Sequence, residues 1–318
     1  MRPQLPRDVL PRLHMLVTGL VLTLALAGQA SAATSYRAMY IFGDSLSETG
    51  NYAAIGAGGA VYPAPYAQGR FSNGDVWVDY LATALGLDAP TAAAAGGNNY
   101  AWGGARTAGQ AGLEPPYDLG VQSLAFLSDH DGEADPAALY VVWAGGNDAL
   151  AGDVTHTADN IGSVIAMLAG AGARNFLVPN LPVLGDEFAQ VNVDLVPVLD
   201  SLEASLPLQL VRLDVAGLFM AIAFDTMNGG EGFGFADFDT PCFDGGTVCA
   251  NPDGYLLWDA LHPTTRGHEL IGQMASAELA AVPLPAGIWL LGPALGALLV
   301  ARRGAGAKPG STELPSAG

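Results

Sequence analysis

The chain has 318 residues, half of them hydrophobic, with 31 acidic and 12 basic side chains and a formal net charge of −19. Between residues 33 and 281 it has no lysine and few arginines, so it cannot build the basic groove that nucleic acid requires. Anionic membrane surfaces are expected to repel this region for the same reason. The acidity excludes these partners but does not choose a fold.

Residues 1–32 are predicted to be a secretory signal peptide that a signal peptidase removes. Three arginines precede an apolar run at 15–28, and Ala-Ser-Ala at 30–32 supplies the small residues of a cleavage site. An uncleaved membrane anchor is the alternative, but the apolar run is shorter than the ~20 residues that a spanning helix needs. We therefore expect the protein to be exported.

Residues 33–281 are predicted to form one α/β domain. Apolar runs of strand length alternate there with amphipathic helices, which predicts a parallel sheet covered on both faces. The predicted strands are residues 38–42, 98–101, 139–144, 175–179 and 208–213. The predicted helices are residues 75–85, 121–128, 157–170, 190–202, 216–227 and 265–279, with Ser72 and Asn73 capping the first. Residues 51–65 are predicted to be a flexible loop, because their glycine spacing matches no phosphate-binding fingerprint.

Polar residues follow two of the predicted strands. Ser45 comes just past the first strand, at the edge where open α/β sheets bind their ligands, so it is a candidate nucleophile. Asn147 comes just past the strand at 139–144, and its side-chain amide can stabilise a developing oxyanion. Capping of the following helix is the alternative in each place, by Asp44 with Ser45 and by Asn147 with Asp148.

A carboxylate and an imidazole lie three residues apart near the end of the domain. Pro263 disfavours helical geometry in the residue before it, so Asp259 and His262 are expected in a turn. There the carboxylate can orient the ring that deprotonates a serine. His268 follows on the next helix and is expected to face elsewhere.

Four blocks in this order resemble the GDSL (SGNH) lipases and esterases. They are Gly-Asp-Ser-Leu at 43–46, the aromatic and glycine-rich segments at 62–66 and 69–74, Gly-Gly-Asn-Asp at 145–148, and Asp-x-x-His at 259–262. The resemblance runs from about residue 40 to about residue 274. It implies a flavodoxin-like α/β/α sandwich with a central parallel sheet, the SGNH hydrolase fold. The nucleophile lacks the Gly-x-Ser-x-Gly elbow, which argues against the α/β-hydrolase fold.

The resemblance also implies an oxyanion hole. Its donors would be the backbone N–H groups of Ser45 and Gly104 and the side chain of Asn147, with Gly103 as the alternative to Gly104. Asp148 is predicted to be structural. No metal ion or organic cofactor is needed for this chemistry.

Two further groups of residues carry predictions. Cys242 and Cys249 are expected to pair, since exported proteins form disulfides, and to shape the loop ahead of the Asp-x-x-His block. Three acidic residues of that loop lack the EF-hand spacing and are predicted to be solvated rather than to hold calcium: Asp237, Asp239 and Asp244. Three aromatic residues near the nucleophile are predicted either to pack or to line an apolar substrate cleft: Tyr62, Tyr66 and Phe71.

Residues 282–318 form a separate segment. Val-Pro-Leu-Pro-Ala at 282–286 opens an apolar run that continues to residue 301 and stops at two arginines, and this run is just long enough to span a bilayer. The segment resembles the VPLPA type of the PEP-CTERM sorting signals of Gram-negative bacteria, which direct processing by an exosortase. Its tail, residues 304–318, is longer than usual. A plain C-terminal membrane anchor is the alternative.

The sequence therefore predicts a secreted serine hydrolase that cleaves carboxylic esters through an acyl-enzyme. Ser45 would attack the ester, His262 would move the proton, and Asp259 would orient the ring. The expected location is the periplasm, cell surface or medium of a Gram-negative bacterium, with membrane contact only through the C-terminal segment. The alternatives are a polysaccharide O-deacetylase and a non-catalytic surface or biofilm-matrix binding protein.

Overall fold

A computed structural model describes residues 36–109 and 117–281, so the predicted signal peptide and C-terminal segment lie outside the described residues. The central sheet has four parallel strands, β1 (Met39–Gly43), β2 (Leu139–Trp143), β3 (Asn175–Pro179) and β4 (Gln209–Leu213), in that spatial order. All five residues of β2 are buried; β1 pairs with the whole of β2, and β3 pairs with its first three residues. The predicted parallel sheet is confirmed.

The predicted strand at 98–101 is only partly formed. The Ile41 N–H donates to the Asn98 carbonyl and the Tyr100 N–H donates to the Ile41 carbonyl, which makes an isolated parallel bridge on the free side of β1. This segment therefore occupies the place of a strand beside β1. Counted along the chain, the spatial order becomes 2-1-3-4-5, which is the flavodoxin-like order. Its switch point lies at the carboxyl ends of β1 and β2.

Nine α-helices occur in the described residues. They are α1 (Asn51–Ala54), α2 (Gly58–Val61), α3 (Trp77–Leu85), α4 (Leu119–Asp129), α5 (Gly146–Leu150), α6 (Thr157–Ala171), α7 (Asp186–Ser205), α8 (Val215–Met227) and α9 (Thr265–Ala281). The predicted flexible loop at 51–65 is wrong in that it contains α1 and α2. The predicted helix at 190–202 is longer, because α7 begins at Asp186 after Gly185 and continues through Pro197.

The helices cover both faces of the sheet. Alternate strand residues point to opposite faces, so each face has its own buried cluster. One cluster joins Ile41, Val141 and Leu177 to the helices α3 and α9 through Trp77, Leu81, Ile271 and Ala275. The other joins Phe42, Val142 and Phe176 to the helices α4, α6 and α7 through Phe126, Ile165 and Leu195. The α/β/α sandwich is thereby confirmed.

The predicted cap of α3 is wrong. Neither Ser72 nor Asn73 caps this helix, because Asp79 of its own first turn accepts the Val76 N–H at 2.9 Å. Asn73 instead accepts the N–H of Thr265, the first residue of α9, at 2.8 Å. Asn73 is close to α3 in the sequence, but in the fold it bonds the first residue of α9.

No helix within residues 36–109 and 117–281 is both long and apolar enough to cross a membrane.

Candidate active site

The predicted nucleophile and oxyanion donor lie at the carboxyl edge of the sheet. Ser45 follows β1 and Asn147 lies in α5 directly after β2, so the two flank the switch point where such sheets bind ligands. Gly43 is fixed at the end of β1, since Gln122 bonds both its N–H and its carbonyl. A Cβ on Gly43 would lie 2.1 Å from the Trp143 carbonyl oxygen. Only glycine therefore lets β1 and β2 approach so closely behind the serine.

The serine, the histidine and the aspartate form a continuous chain of hydrogen bonds. His262 Nε2 lies 2.8 Å from Ser45 Oγ, and His262 Nδ1 lies 2.8 Å from Asp259 Oδ2. The Asp259 carboxylate also accepts the backbone N–H groups of Leu261 and His262 at 2.8 Å. These backbone bonds fix the turn, so the imidazole is held between the carboxylate and the hydroxyl.

Asp259 is held in its ionised form. Burial acts to raise its pKa, but the hydrogen bond and electrostatic interaction with His262 and the hydroxyl of Tyr66 outweigh burial and lower the pKa to about 2. Tyr66 donates to Asp259 Oδ2 at 2.6 Å. An ionised carboxylate beside Nδ1 keeps the proton on that nitrogen and leaves Nε2 free to accept one from the serine.

The sequence did not predict the contact between Tyr66 and Asp259. The ring of Tyr66 packs edge-on against Phe243 and Trp258. The backbone of Phe243 bonds Trp258, and the adjacent Cys242 is joined to Cys249 by a disulfide. The cysteine loop thus supports the tyrosine that holds Asp259. The one sequence signal for this contact is that Tyr66 lies in an aromatic segment. Its partner, Asp259, is 193 residues away along the chain.

The proposed oxyanion donors differ in how the structure holds them. Asn147 donates one side-chain N–H to the Ala105 carbonyl at 2.9 Å, which fixes its rotamer and leaves its second N–H for a ligand. The Gly103 N–H donates to Glu48, so the alternative that placed Gly103 in the oxyanion hole is wrong. Gly104 has a positive φ of 76°, a conformation that suits glycine. Its role as a donor stays a prediction.

Glu48 is a buried residue that the sequence did not single out. It lies three residues after Ser45 and accepts hydrogen bonds from Tyr62, from the Tyr52 N–H and from the Gly103 N–H. Burial raises the pKa of Glu48 to about 7, although these donors oppose the rise. The carboxyl group therefore ties the serine turn to the loop that carries Gly104.

Two more buried acids surround the nucleophile. Asp44 accepts the Leu46 N–H at 3.0 Å, and burial raises its pKa to about 7. Asp148 accepts both the N–H and the hydroxyl of Thr107, and burial raises its pKa as well. Asp44 thus fixes the serine turn, and Asp148 fixes the loop that contains Thr107. A structural role is what the sequence predicted for Asp148.

A narrow cleft opens beside Ser45 and His262. Its other polar lining residues are Asp44 and Asn147, and its apolar ones are Leu46, Leu150, Leu181, Pro182, Leu184, Phe188 and Leu261. Among the described residues, the three aromatic side chains offered for a cleft do not line it. Tyr62 bonds the buried carboxyl group of Glu48, and Tyr66 bonds the partly buried carboxylate of Asp259. The ring of Phe71 packs on that of His262 with centroids 5.2 Å apart.

The remaining acids and histidines lie outside this site. Asp237 and Asp244 accept backbone N–H groups of their own turns. In the part of the chain that the structure describes, no group of three or more His, Cys, Asp or Glu residues could hold a metal ion. His268 is fully buried in α9 and is not among the residues that line the cleft.

The comparisons with known proteins agree with this geometry. A serine hydroxyl bonded to a carboxylate-oriented imidazole, at the switch point of a parallel sheet, is typical of a serine hydrolase. The family model "GDSL-like Lipase/Acylhydrolase" matches residues 39–274. The chain belongs to this family.

Several relatives are lipases, esterases or acyltransferases by name. The chain is 33% identical over 167 residues to Lipase 1 of Photorhabdus luminescens, covering 49% of this chain and 24% of that protein. It is 27% identical to a phosphatidylcholine-sterol acyltransferase of Aeromonas hydrophila, covering 79% of this chain and 82% of that one. It is 26% identical to a GDSL esterase/lipase of Arabidopsis thaliana, covering 79% and 84%. The chain thus spans about a quarter of the Photorhabdus lipase and most of the other two.

The comparison with solved structures also matched a member of the lipolytic protein G-D-S-L family from Veillonella parvula. Its sequence identity to this chain is 15% and its TM-score is 0.42, and the match covers 77% of this chain and 98% of that one.

The raised pKa of Glu48 predicts a specific pH dependence of stability. Between about pH 4.5 and 7 the folded protein keeps a proton on Glu48 that the unfolded chain has released, so stability falls as the pH rises through this window. Glu48→Gln removes this contribution. The melting temperature of the variant should therefore fall less between pH 5 and 7 than that of the wild type.

Thermal unfolding at pH 5, 6 and 7 measures the difference, with Glu133→Gln as an exposed matched control. We expect the control to follow the wild type. Equal slopes for Glu48→Gln and the wild type would contradict the protonated, buried state of Glu48.

Proposed function

We propose that the chain hydrolyses carboxylic esters through an acyl-enzyme formed on Ser45. The observation that carries this proposal is the 2.8 Å contact between Ser45 Oγ and His262 Nε2, together with the Asp259 carboxylate on the other ring nitrogen. The base thus lies within hydrogen-bond reach of both the nucleophile and the orienting acid, as nucleophilic catalysis requires.

In the first half of the reaction, Ser45 Oγ forms a bond to the ester carbonyl carbon while its proton passes to His262 Nε2. The tetrahedral intermediate then expels the alcohol oxygen, which takes the proton from His262. In the second half, water loses a proton to His262 and attacks the acyl carbon. The Ser45 oxygen leaves with that proton, which restores the enzyme and releases the carboxylic acid.

The negative oxygen of both intermediates needs hydrogen-bond donors. We assign this task to the backbone N–H groups of Ser45 and Gly104 and to the second side-chain N–H of Asn147. The bond from Asn147 to the Ala105 carbonyl supports the assignment, because a donor that is fixed beforehand needs no reorganisation during the reaction.

The substrate class follows from the lining of the cleft. Leu46, Leu181 and Phe188 border the serine, and such apolar side chains suit the hydrocarbon of an acyl ester or lipid better than a hydroxyl-rich sugar. The names of the relatives, which include lipases and an acyltransferase, point in the same direction. Ester hydrolysis is therefore favoured over polysaccharide deacetylation and over binding without catalysis.

Export completes the proposal. Signal peptidase would cleave after residue 32, and an exosortase would process the segment that begins at residue 282, leaving the mature domain in the periplasm, on the surface or outside a Gram-negative cell. The Cys242–Cys249 disulfide supports an oxidising compartment.

A fluorophosphonate probe tests the proposed nucleophile, because it reacts with an activated serine. The full-length protein should be labelled at Ser45, and both labelling and ester turnover should fall by about 10⁴-fold or more in Ser45→Ala and in His262→Ala. Ser163→Ala and His156→Ala are matched exposed controls and should keep wild-type activity. Turnover that survives in either site variant would sink the proposed mechanism.

Mass spectrometry of the protein from its native host tests export and processing. We expect an N-terminus at or near residue 33, a C-terminus near residue 285, and an intact disulfide between Cys242 and Cys249. Recovery of Met1 with two free thiols would show that the protein is not exported. Full-length C-termini held in the inner membrane would show a plain anchor instead of exosortase processing.

A further inference from the structure

The ring of Phe71 touches both the proposed base and the loop that carries Gly104. It packs on the imidazole of His262, with ring centroids 5.2 Å apart and ring planes inclined by 32°. It also lies so close to Gly103 that a Cβ built there would be 2.3 Å from Phe71 Cζ. One side chain therefore contacts two parts of the site that must act on the substrate together.

The backbone on either side of Phe71 is anchored. The guanidinium of Arg70 donates two hydrogen bonds to Asp79 in the first turn of α3, at 2.8 and 2.7 Å. The Ser72 hydroxyl donates to the carbonyl of Pro263, directly after the proposed base, at 2.9 Å. These bonds hold the chain before and after Phe71, so its ring starts from a fixed place relative to the imidazole.

Glu48 also holds the glycine loop. The Gly103 N–H donates to Glu48, and the same built Cβ would lie 3.0 Å from the Glu48 Oε2 atom. Tyr62 donates its hydroxyl to Glu48 and packs edge-on against Phe71, with ring centroids 5.1 Å apart. Gly103 is thus in close contact with both the Phe71 ring and the Glu48 carboxyl group, which leaves the loop little room to shift.

Core packing does not account for the position of Phe71. The side chain is only partly buried, and it belongs to none of the three buried hydrophobic clusters that the described residues form. A phenylalanine that served only to stabilise the core would pack within one of them. The contacts of Phe71 with the imidazole and the glycine loop therefore point to a role in the site.

We propose that Phe71 is a positioning residue that sets the distance between the base and the oxyanion donors. The proposal rests on the proposed ester hydrolysis at Ser45. His262 must take the serine proton while Gly104 bonds the developing negative oxygen, so the two must meet one substrate in a single geometry. Such groups have to be held within about 0.5 Å of the productive arrangement, and a ring that touches both sides does so before the substrate binds.

Steady-state kinetics of Phe71→Ala in the full-length protein test this role. On p-nitrophenyl acetate, kcat should fall by about 10- to 100-fold, because a displacement of about 1 Å costs about 100-fold. KM should stay within about threefold of wild type, since the lost geometry is needed only in the transition state. Phe71→Leu keeps apolar bulk without the flat ring, and its kcat should lie between those of Phe71→Ala and the wild type.

Phe233→Ala is the matched control. Phe233 is also a partly buried phenylalanine, but it packs against a separate cluster and does not line the cleft. The control should keep the wild-type kcat when all variants are assayed well below their melting temperatures. A loss of stability alone would act on both positions alike.

Substitution of Gly103 tests the contact from its other partner. The Gly103 backbone lies outside the left-handed region, so alanine brings no backbone strain there, but its methyl group collides with the Phe71 ring. Gly103→Ala should therefore lower kcat by about tenfold or more. In the double variant with Phe71→Ala the collision is gone, so kcat should equal that of Phe71→Ala alone within about threefold. Independent effects would multiply instead.

Unchanged kcat in both Phe71 variants would overturn the proposal, and so would an effect confined to KM or an equal loss of kcat in Phe233→Ala. Multiplied losses in the double variant would show that the ring does not set the position of the loop. Failure of the proposed function itself looks different, because the wild type would then show neither acetate turnover nor fluorophosphonate labelling.

Discussion

The hydrogen bond between Ser45 and His262 joins two parts of the chain that are 217 residues apart, and the rest of the fold serves to hold these parts together. β1 fixes the serine, and the turn before α9 fixes the histidine. That turn is positioned by segment 72–81, since the Ser72 hydroxyl bonds the Pro263 carbonyl and α9 packs on α3. A Cβ at Gly272 of α9 would lie 2.8 Å from the Trp77 carbonyl oxygen. The close contact of these helices therefore sets the distance on which catalysis depends.

Burial divides the carboxyl groups around the nucleophile into two kinds. Burial raises the pKa values of Asp44 and Glu48 to about 7, and these side chains hold the turn and loops on either side of the serine. Asp259 is partly buried too, but His262 and Tyr66 lower its pKa to about 2. The one carboxylate that must stay ionised for the mechanism is thus the one whose neighbours stabilise its charge.

The sequence predicts the strands, most of the helices and the reacting side chains, because each of these depends on a short local pattern of residues. Strand runs ending in small polar residues indicated Ser45 and Asn147, and a local Asp-x-x-His pattern indicated Asp259 and His262. Contacts made only by the tertiary fold could not be predicted in this way. Asn73 caps a helix that begins 192 residues later, and Tyr66 bonds an aspartate 193 residues away. Excluding Gly103 from the oxyanion hole likewise required the structure, because its N–H donates to Glu48, which lies 55 residues earlier.

The central claim is that one constellation supplies nucleophile, base and oxyanion donors at the switch point of the sheet. A crystal structure of the protein with a phosphonate covalently bound to Ser45 tests it most directly, because the adduct reproduces the tetrahedral geometry of the intermediate. We predict a phosphonyl oxygen within about 2.7–3.1 Å of the Asn147 side-chain nitrogen and the Gly104 backbone nitrogen, with His262 Nε2 facing the opposite oxygen. A phosphonyl oxygen turned toward solvent, with neither donor in reach, would contradict the account.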